Sequence, residues 1–252
     1  MSIRPPLVLL AALLALGLCP PRLEAGAAGG LMMGSVVKSE KWKMDRLRSL
    51  EIFEGKVSFL NAVYNLKADY AVYDRKARVW DLHGSVYCLR KFLDGAELEL
   101  YCDSGKYMED MQKAEVFRGT APVLMKYMSG DGKPLNGRCD RIVADNARSS
   151  MDFLGNFYMQ TPQTDIFSDN GFHSDTDHSF LIYNSAPDPA AARSAPKPGP
   201  LAVGRRDGRD FAMTGEKMKF FKDTGDVKLY NRVAGWIKAV KTAPDAAVAG
   251  GN

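Results

Sequence analysis

Apolar and polar residues alternate along most of the chain with a period of two, which is typical of half-buried β-strands. In one such run the pattern assigns Leu66, Ala68, Tyr70 and Val72 to a single face of a strand. Runs of this kind, separated by turn residues, cover residues 34–45, 49–61, 65–74, 77–89, 96–107, 113–128, 138–145 and 150–161, and they resume at 211–237. No long window has the period of a helix. The pattern therefore predicts an all-β chain.

A spaced acid–glycine pattern recurs five times. Asp69 is followed by Gly84 after fifteen residues and by Val86 after seventeen. The other copies begin at Glu40, Asp103, Asp140 and Glu216; the spacing to the glycine is sixteen residues for Asp103, and Asn replaces the glycine in the last copy. The acids lie 29, 34, 37 and 76 residues apart, and the doubled last interval indicates a degenerate copy that includes residues 180–183. A fixed period predicts stacked supersecondary units, and the glycine fits a bulge or a close backbone approach.

The first 27 residues have the features of a cleaved secretory signal. Arg4 precedes an apolar run of 12 residues, 7–18, whereas a membrane span needs about 20. Ala25 and Ala27 fit the small residues of a cleavage site. The alternatives are a retained inner-membrane anchor and lipid modification at Cys19.

The strand rhythm is interrupted after residue 161. Residues 165–178 are rich in Asp and His, and we interpret them as an exposed polar loop in preference to a calcium or zinc site, because their spacing matches neither an EF-hand nor a zinc pair on a helix. Residues 185–200 read as a Pro/Ala-rich linker. The domain assignment is therefore a signal peptide at 1–27, a β domain at 28–161, an insertion with its linker at 162–210, returning strands of the same domain at 211–241, and a disordered tail at 242–252.

Composition and motifs argue against several functions. The formal net charge is only +4, and no dense basic patch with interleaved aromatics indicates nucleic-acid binding. Phosphate loops, dinucleotide glycines and Gly-x-Ser-x-Gly are missing, the three histidines have no recognisable catalytic partner, and the repeated acids fit a structural role. We expect no enzyme activity, no catalytic or metal site and no cofactor. Cys88, Cys102 and Cys139 could be buried thiols, or Cys102 and Cys139 could pair, since both precede a marker aspartate.

Three segments resemble the OstA-like family, whose best-known member is LptA. They are Phe53-x-Gly55-x-Val57 followed by Leu66-x-Ala68-Asp69, residues 119–160 with the turn at 131–134, and residues 213–225. The resemblance implies a β-jellyroll of folded, repetitive antiparallel strands around an apolar groove. It also implies a periplasmic role in lipopolysaccharide transport, with LptC-like and LptD-like jellyroll subunits as partners and with possible end-to-end self-association through strands near Val36 and Tyr230.

A groove of this kind holds acyl chains, since burying each methylene is worth about 0.8 kcal/mol. The expected lining residues are Val37, Phe53, Val57, Phe59, Leu66, Ala68, Tyr70, Val72, Val86, Met125, Ile142 and Phe157. Val37 and Met125 are included because they match lipid-facing strands of the family. Plain core packing is the alternative role of these side chains. The alternative function is a periplasmic or surface β-solenoid that binds polysaccharide or serves as a structural module.

Overall fold

A computed structural model describes residues 36–185 and 199–239, and these residues form an all-β jellyroll. The strands are β1 (Val36–Lys38), β2 (Lys41–Asp45), β3 (Leu50–Leu60), β4 (Tyr64–Asp74), β5 (Val79–Lys91), β6 (Glu97–Met108), β7 (Lys113–Phe117), β8 (Val123–Met128), β9 (Pro134–Cys139), β10 (Arg141–Asp145), β11 (Ser150–Gln160), β12 (Thr164–Ser174), β13 (Ser179–Tyr183), β14 (Leu201–Arg206), β15 (Arg209–Thr214), β16 (Lys217–Phe221), β17 (Val227–Tyr230) and β18 (Ala234–Ala239). The all-β prediction is confirmed. Within the two described ranges, no helix is long and apolar enough to cross a membrane.

The strand pairings divide the molecule into two antiparallel sheets that share their long strands. In the first sheet the hydrogen-bonded order is β2, β3, β4, β5, β6, β7, β10, β11, β12, β13, β16 and β17. In the second sheet the order is β1, β3, β4, β5, β6, β8, β9, β11, β12, β14, β15 and β18. We call each position along this order a row: a row is either one long strand that runs through both sheets, such as β3, or two shorter strands, one in each sheet. Each row thus contributes one strand segment to each sheet.

The long strand β3 folds over where it passes from the first sheet to the second. The ring centroids of Phe53 and Phe59, both on β3, lie 6.4 Å apart. Six residues of straight strand would separate them by about 20 Å. Phe59 in the second sheet also meets the edge of the Trp80 ring of the first sheet at 4.9 Å. The inner faces of the two sheets therefore pack against each other.

The acid–glycine pairs of the sequence form these corners. Gly84 and Ser85 on β5 have φ of 75° and 44°, and the Cβ of any larger residue at Gly84 would lie 2.5 Å from a carboxylate oxygen of Asp69 on the preceding strand, β4. Glycine is required here because the left-handed conformation and the close approach coincide. In another pair the backbone N–H of Thr120, next to Gly119, donates to the Asp103 carboxylate at 3.0 Å. The predicted role of the repeat as a structural marker follows from this geometry.

A sixth copy of the pair lies in the segment that the sequence had suggested was a loop. Residues 164–174 form β12 in the middle of both sheets, so the interpretation as an exposed polar loop is wrong. The backbone N–H of Ser185 donates to the carboxylate of Asp169 at 2.9 Å, and Asn184 occupies the glycine position fifteen residues after Asp169. Residues 179–183 and 201–206 are strands as well, so three strands of the sheets fall within the predicted insertion.

The face assignment in β4 is wrong beyond its corner. Ala71 is fully buried and pairs with Phe53, whereas Tyr70 pairs with Glu54 on the outer face. Val72 lies on the outer face too, because the pairing with β5 shifts register between Lys67 and Tyr70. The extra residue at the corner moves every later side chain to the opposite face.

Other expectations concern parts of the chain that are not described. The signal peptide with its alternatives, most of the Pro/Ala-rich linker (residues 186–198), the last two residues of the returning strands (240–241) and the tail at 242–252 lie outside the described residues. Their assignments stay predictions.

Candidate functional site in the groove between the sheets

The inner faces of the two sheets form an apolar interior that contains most of the predicted lining residues. Nine of the twelve belong to one buried cluster: Phe53, Val57, Phe59, Leu66, Ala68, Val86, Met125, Ile142 and Phe157. Val37 pairs with Phe59 and so shares its inner face, but 37% of Val37 is exposed because β1 is an edge strand. Tyr70 and Val72 lie on the outer face, as described above. The sequence thus located the interior, while a role of these residues in lipid binding stays a prediction.

A cavity of about 90 Å³ remains between the sheets. Its wall is mostly apolar and includes Leu66, Leu82, Val86, Leu98, Leu100 and Met151. Since the inner faces of the two sheets pack against each other around this cavity, an acyl chain that enters the interior has to displace core side chains.

Several residues of this wall were not predicted. Leu98 and Leu100 alternate with glutamates in β6, so their inward position could have been read from the period of two. Arg90 and Tyr64 also line the cavity, and no apolar pattern would have placed an arginine there.

The rims of the two sheets form a second, larger space of about 680 Å³ at the mouth of the groove. We call this space the mouth; turns of the second sheet around residues 129–135 and 161–164 face His178 and residues 220–225 of the first sheet. Lys222 donates a hydrogen bond of 3.1 Å to the hydroxyl of Tyr127 across it. The ammonium group of Lys222 also lies 5.0 Å from the centre of the Tyr127 ring. This contact joins the two sheets on the side away from the corners.

A buried histidine lies on the inner face close to the mouth. His173 is 5% exposed, and its ring centre lies 4.5 Å from that of Phe180. Its Nδ1 is 3.7 Å from the Asp175 carboxylate and has no hydrogen-bond partner among the described residues. Burial lowers the pKa of His173 from 6.5 to about 4; Asp175 opposes this shift, while Lys222 and His178 add to it. The imidazole is therefore neutral at pH 7.

The three cysteines of the described ranges are free thiols. Cys102 and Cys139 are buried, and burial raises the pKa of each to about 12. The pKa of Cys88 rises to about 11 for the same reason. Of the two alternatives left by the sequence, the structure has buried thiols rather than a disulfide. Among the described residues, no group of three or more His, Cys, Asp or Glu side chains is arranged to hold a metal ion.

Both ends of the groove are formed by edge strands, which are paired on one side. Within residues 36–185 and 199–239, β1 and β2 at one end pair only with β3, while β17 and β18 at the other end pair only with β16 and β15 respectively. The edges lie near Val36 and Tyr230, as predicted. Trp42 and Trp236 on these edge strands are 56% and 55% exposed. Unpaired backbone groups beside exposed apolar side chains favour pairing with another strand.

The chain is structurally similar to a protein of lipopolysaccharide transport. That protein is LptH from Pseudomonas aeruginosa, described as the LptA-homologous periplasmic component of the lipopolysaccharide transport device. The superposition has a TM-score of 0.27 and 8% sequence identity, and it covers 68% of this chain and 95% of LptH. No family model and no curated protein sequence matches the chain. Function is therefore argued from the groove itself.

Proposed function

We propose that this protein is a periplasmic lipid carrier of the OstA-like family, which binds the acyl chains of lipopolysaccharide between its two sheets. The observation that carries the proposal is the apolar interior between the two sheets, which is formed by one buried cluster of side chains. Such an interior shields hydrocarbon from water at about 0.8 kcal/mol for each methylene, and transport of this kind requires no chemistry from the protein. The mouth leaves room for a polar headgroup outside the interior.

The open ends support a place for the protein in a bridge between the inner and outer membranes. Edge strands β1 and β2 at one end and β17 and β18 at the other offer free backbone groups to a neighbouring jellyroll. Pairing across these edges would continue both sheets, and with them the groove. LptC-like and LptD-like subunits, or further copies of this chain, are the proposed neighbours.

Photo-crosslinking tests the lipid-binding role. A photoreactive amino acid replaces either Leu66, which lines the cavity, or Lys67, which follows it and is exposed on the outer face. The folded protein is illuminated with purified lipopolysaccharide, and the adduct is detected by its change in mass. We expect adducts from position 66 and few from position 67. Equal yields from both positions, or no adduct from a protein that circular dichroism shows to be folded, would exclude an acyl-binding groove.

The outer face of the second sheet favours a second candidate function, binding of polysaccharide. Side chains that pair directly across seven strands form an outer belt: Tyr87, Tyr101, Leu124, Arg138, Tyr158, Phe167 and Leu201. The rings of Tyr158 and Phe167 lie 5.0 Å apart, and the hydroxyl of Tyr101 donates to Glu99 at 2.7 Å. Flat rings with polar rims can stack on sugars. Affinity chromatography on a neutral glucan column tests this function. It would be favoured over the first if the wild-type protein and Leu66→Ala are retained on the column and Tyr101→Ala is not.

A further inference from the structure

Two cations line the apolar cavity of the groove, Arg90 and Lys106, and Lys106 forms an ion pair of 3.4 Å with Asp81. Arg90 on β5 pairs with Tyr64 on one side and with Leu98 on the other, and directly opposed residues of an antiparallel pair share a face. Leu98 is buried in the core, and all three residues line the 90 Å³ cavity. The neighbouring Lys91 is exposed and forms an ion pair of 3.4 Å with Glu97. The two adjacent basic residues therefore lie in opposite environments.

The charge of Arg90 is not balanced by the residues around it. No carboxylate of the described residues lies within ion-pair distance of its guanidinium, and its Nε is buried without a hydrogen-bond partner in the same part of the chain. The guanidinium instead packs on aromatic rings, 4.5 Å from the centre of Phe92 and 5.6 Å from that of Tyr64. A partly buried arginine normally satisfies its donors with an anion. Its fork of donors matches a phosphate or carboxylate group.

The same aromatic surface leads from Arg90 to a second cation, Lys222, whose ammonium donates to the hydroxyl of Tyr127. The Phe92 ring meets the Tyr127 ring edge-on at 6.4 Å, and Tyr127 carries the Lys222 ammonium described above. Three carboxylates line the same mouth as Lys222. Two of them have partners of their own, since Asp131 pairs with Lys133 at 2.7 Å and Asp223 lies 3.7 Å from His178. Arg90, Phe92, Tyr127 and Lys222 thus form a cation row, in which two rings separate a positive charge at the inner cavity from a positive charge at the mouth.

We propose that the cation row is a binding site for the anionic headgroup of an amphiphile whose acyl chain lies between the sheets. Arg90 is placed at the boundary of the apolar cavity, where the first polar group of a bound lipid would lie, and Lys222 is placed at the mouth, where further phosphate would face. The inference rests on the proposed function for the acyl chain. The shared chemistry is phosphate, which a lipid headgroup or free phosphate could supply.

Binding measurements with matched lipids test the site. The full chain is titrated with lipopolysaccharide and with the same lipopolysaccharide after enzymatic dephosphorylation, using wild type, Arg90→Gln, Lys222→Gln and the control Lys91→Gln. We expect wild type to bind the phosphorylated lipid more tightly than the dephosphorylated one. Arg90→Gln and Lys222→Gln should each bind the phosphorylated lipid about tenfold more weakly than wild type does, because each loses a charge-assisted hydrogen bond worth about that much. Lys91→Gln should bind as wild type does. Arg90→Lys should restore part of the loss, because it returns the charge without the planar fork. Thermal unfolding confirms that each variant is folded.

The outcomes separate this proposal from the lipid-carrier function. Equal wild-type affinity for both lipids, or row variants that bind as wild type does, would overturn the headgroup site while the groove stands. Competition by millimolar inorganic pyrophosphate would assign the site to free phosphate as well as to lipid. If no lipid binds but pyrophosphate raises the unfolding temperature of wild type and not of Arg90→Gln, the carrier function fails and the anion site stands. If pyrophosphate also has no effect, both fail.

Discussion

Protonation of His173 should destabilise the fold, because the imidazole is buried on the inner face. The pKa of His173 is about 4 in the folded chain, against an ordinary value of 6.5 that applies to the unfolded chain. The unfolded state therefore binds more protons between these two pH values, so stability is full above pH 6.5 and falls as the pH decreases towards 4. With 1.36 kcal/mol for each pKa unit, the loss of unfolding free energy between pH 7 and pH 4.5 is about 2 kcal/mol from this residue.

Urea unfolding at the two pH values measures this contribution against a matched variant. His173→Gln cannot be protonated, so its unfolding free energy should decrease by about 2 kcal/mol less than that of wild type between pH 7 and pH 4.5. The control is His178→Gln, which removes an imidazole that is 58% exposed. It should keep most of the wild-type decrease, part of which comes from carboxylates. If wild type and His173→Gln lose stability in parallel, His173 is not held neutral by burial and the inference from its position is wrong.

Two further predictions concern the corners and the thiols. Gly84→Ala should lower the free energy of unfolding by about 2 kcal/mol more than Gly132→Ala does, because both glycines have a left-handed φ but only the Cβ at position 84 would meet a carboxylate. Chemical denaturation of the two variants measures this difference. Equal losses of stability would mean that the corner adapts. Cys102 and Cys139 should react with a disulfide reagent at pH 8 only after denaturation, because burial raises their pKa values to about 12; fast labelling of both in the native protein would show that the sheets separate readily.

The repeat was readable from the sequence because glycine occupies four of the six corner positions, where the backbone approaches an acid closely. Gly84 and its counterparts revealed the corners, and alternation then located the strands between them. A degenerate copy was expected from the doubled interval, but its acid, Asp169, was not identified, because Asn184 takes the place of the glycine and the surrounding Asp and His residues resemble a polar loop. His173 was part of that misleading composition, yet it is buried.

Other features could not be predicted because they depend on contacts between distant parts of the chain. The single-residue shift at the corner of β4 sends Ala71 inward and Tyr70 outward, and only the pairing with both neighbours reveals it. The approach of Lys222 to Tyr127 joins residues that are 95 positions apart. The inward position of Arg90 follows from its pairing with Leu98, since an arginine in a strand ordinarily reads as solvent-facing.

The row-by-row construction makes the length of the molecule an adjustable property. Each described row hydrogen-bonds only to the rows before and after it, and a marker acid in one row meets a small residue, Gly or Asn, in the next. Duplicating or deleting one acid–glycine pair of rows would thus change the span by about 10 Å, twice the spacing of adjacent strands, without disturbing the rows that remain. Duplication or loss of the corresponding gene segment would therefore give related chains of different length with the same fold.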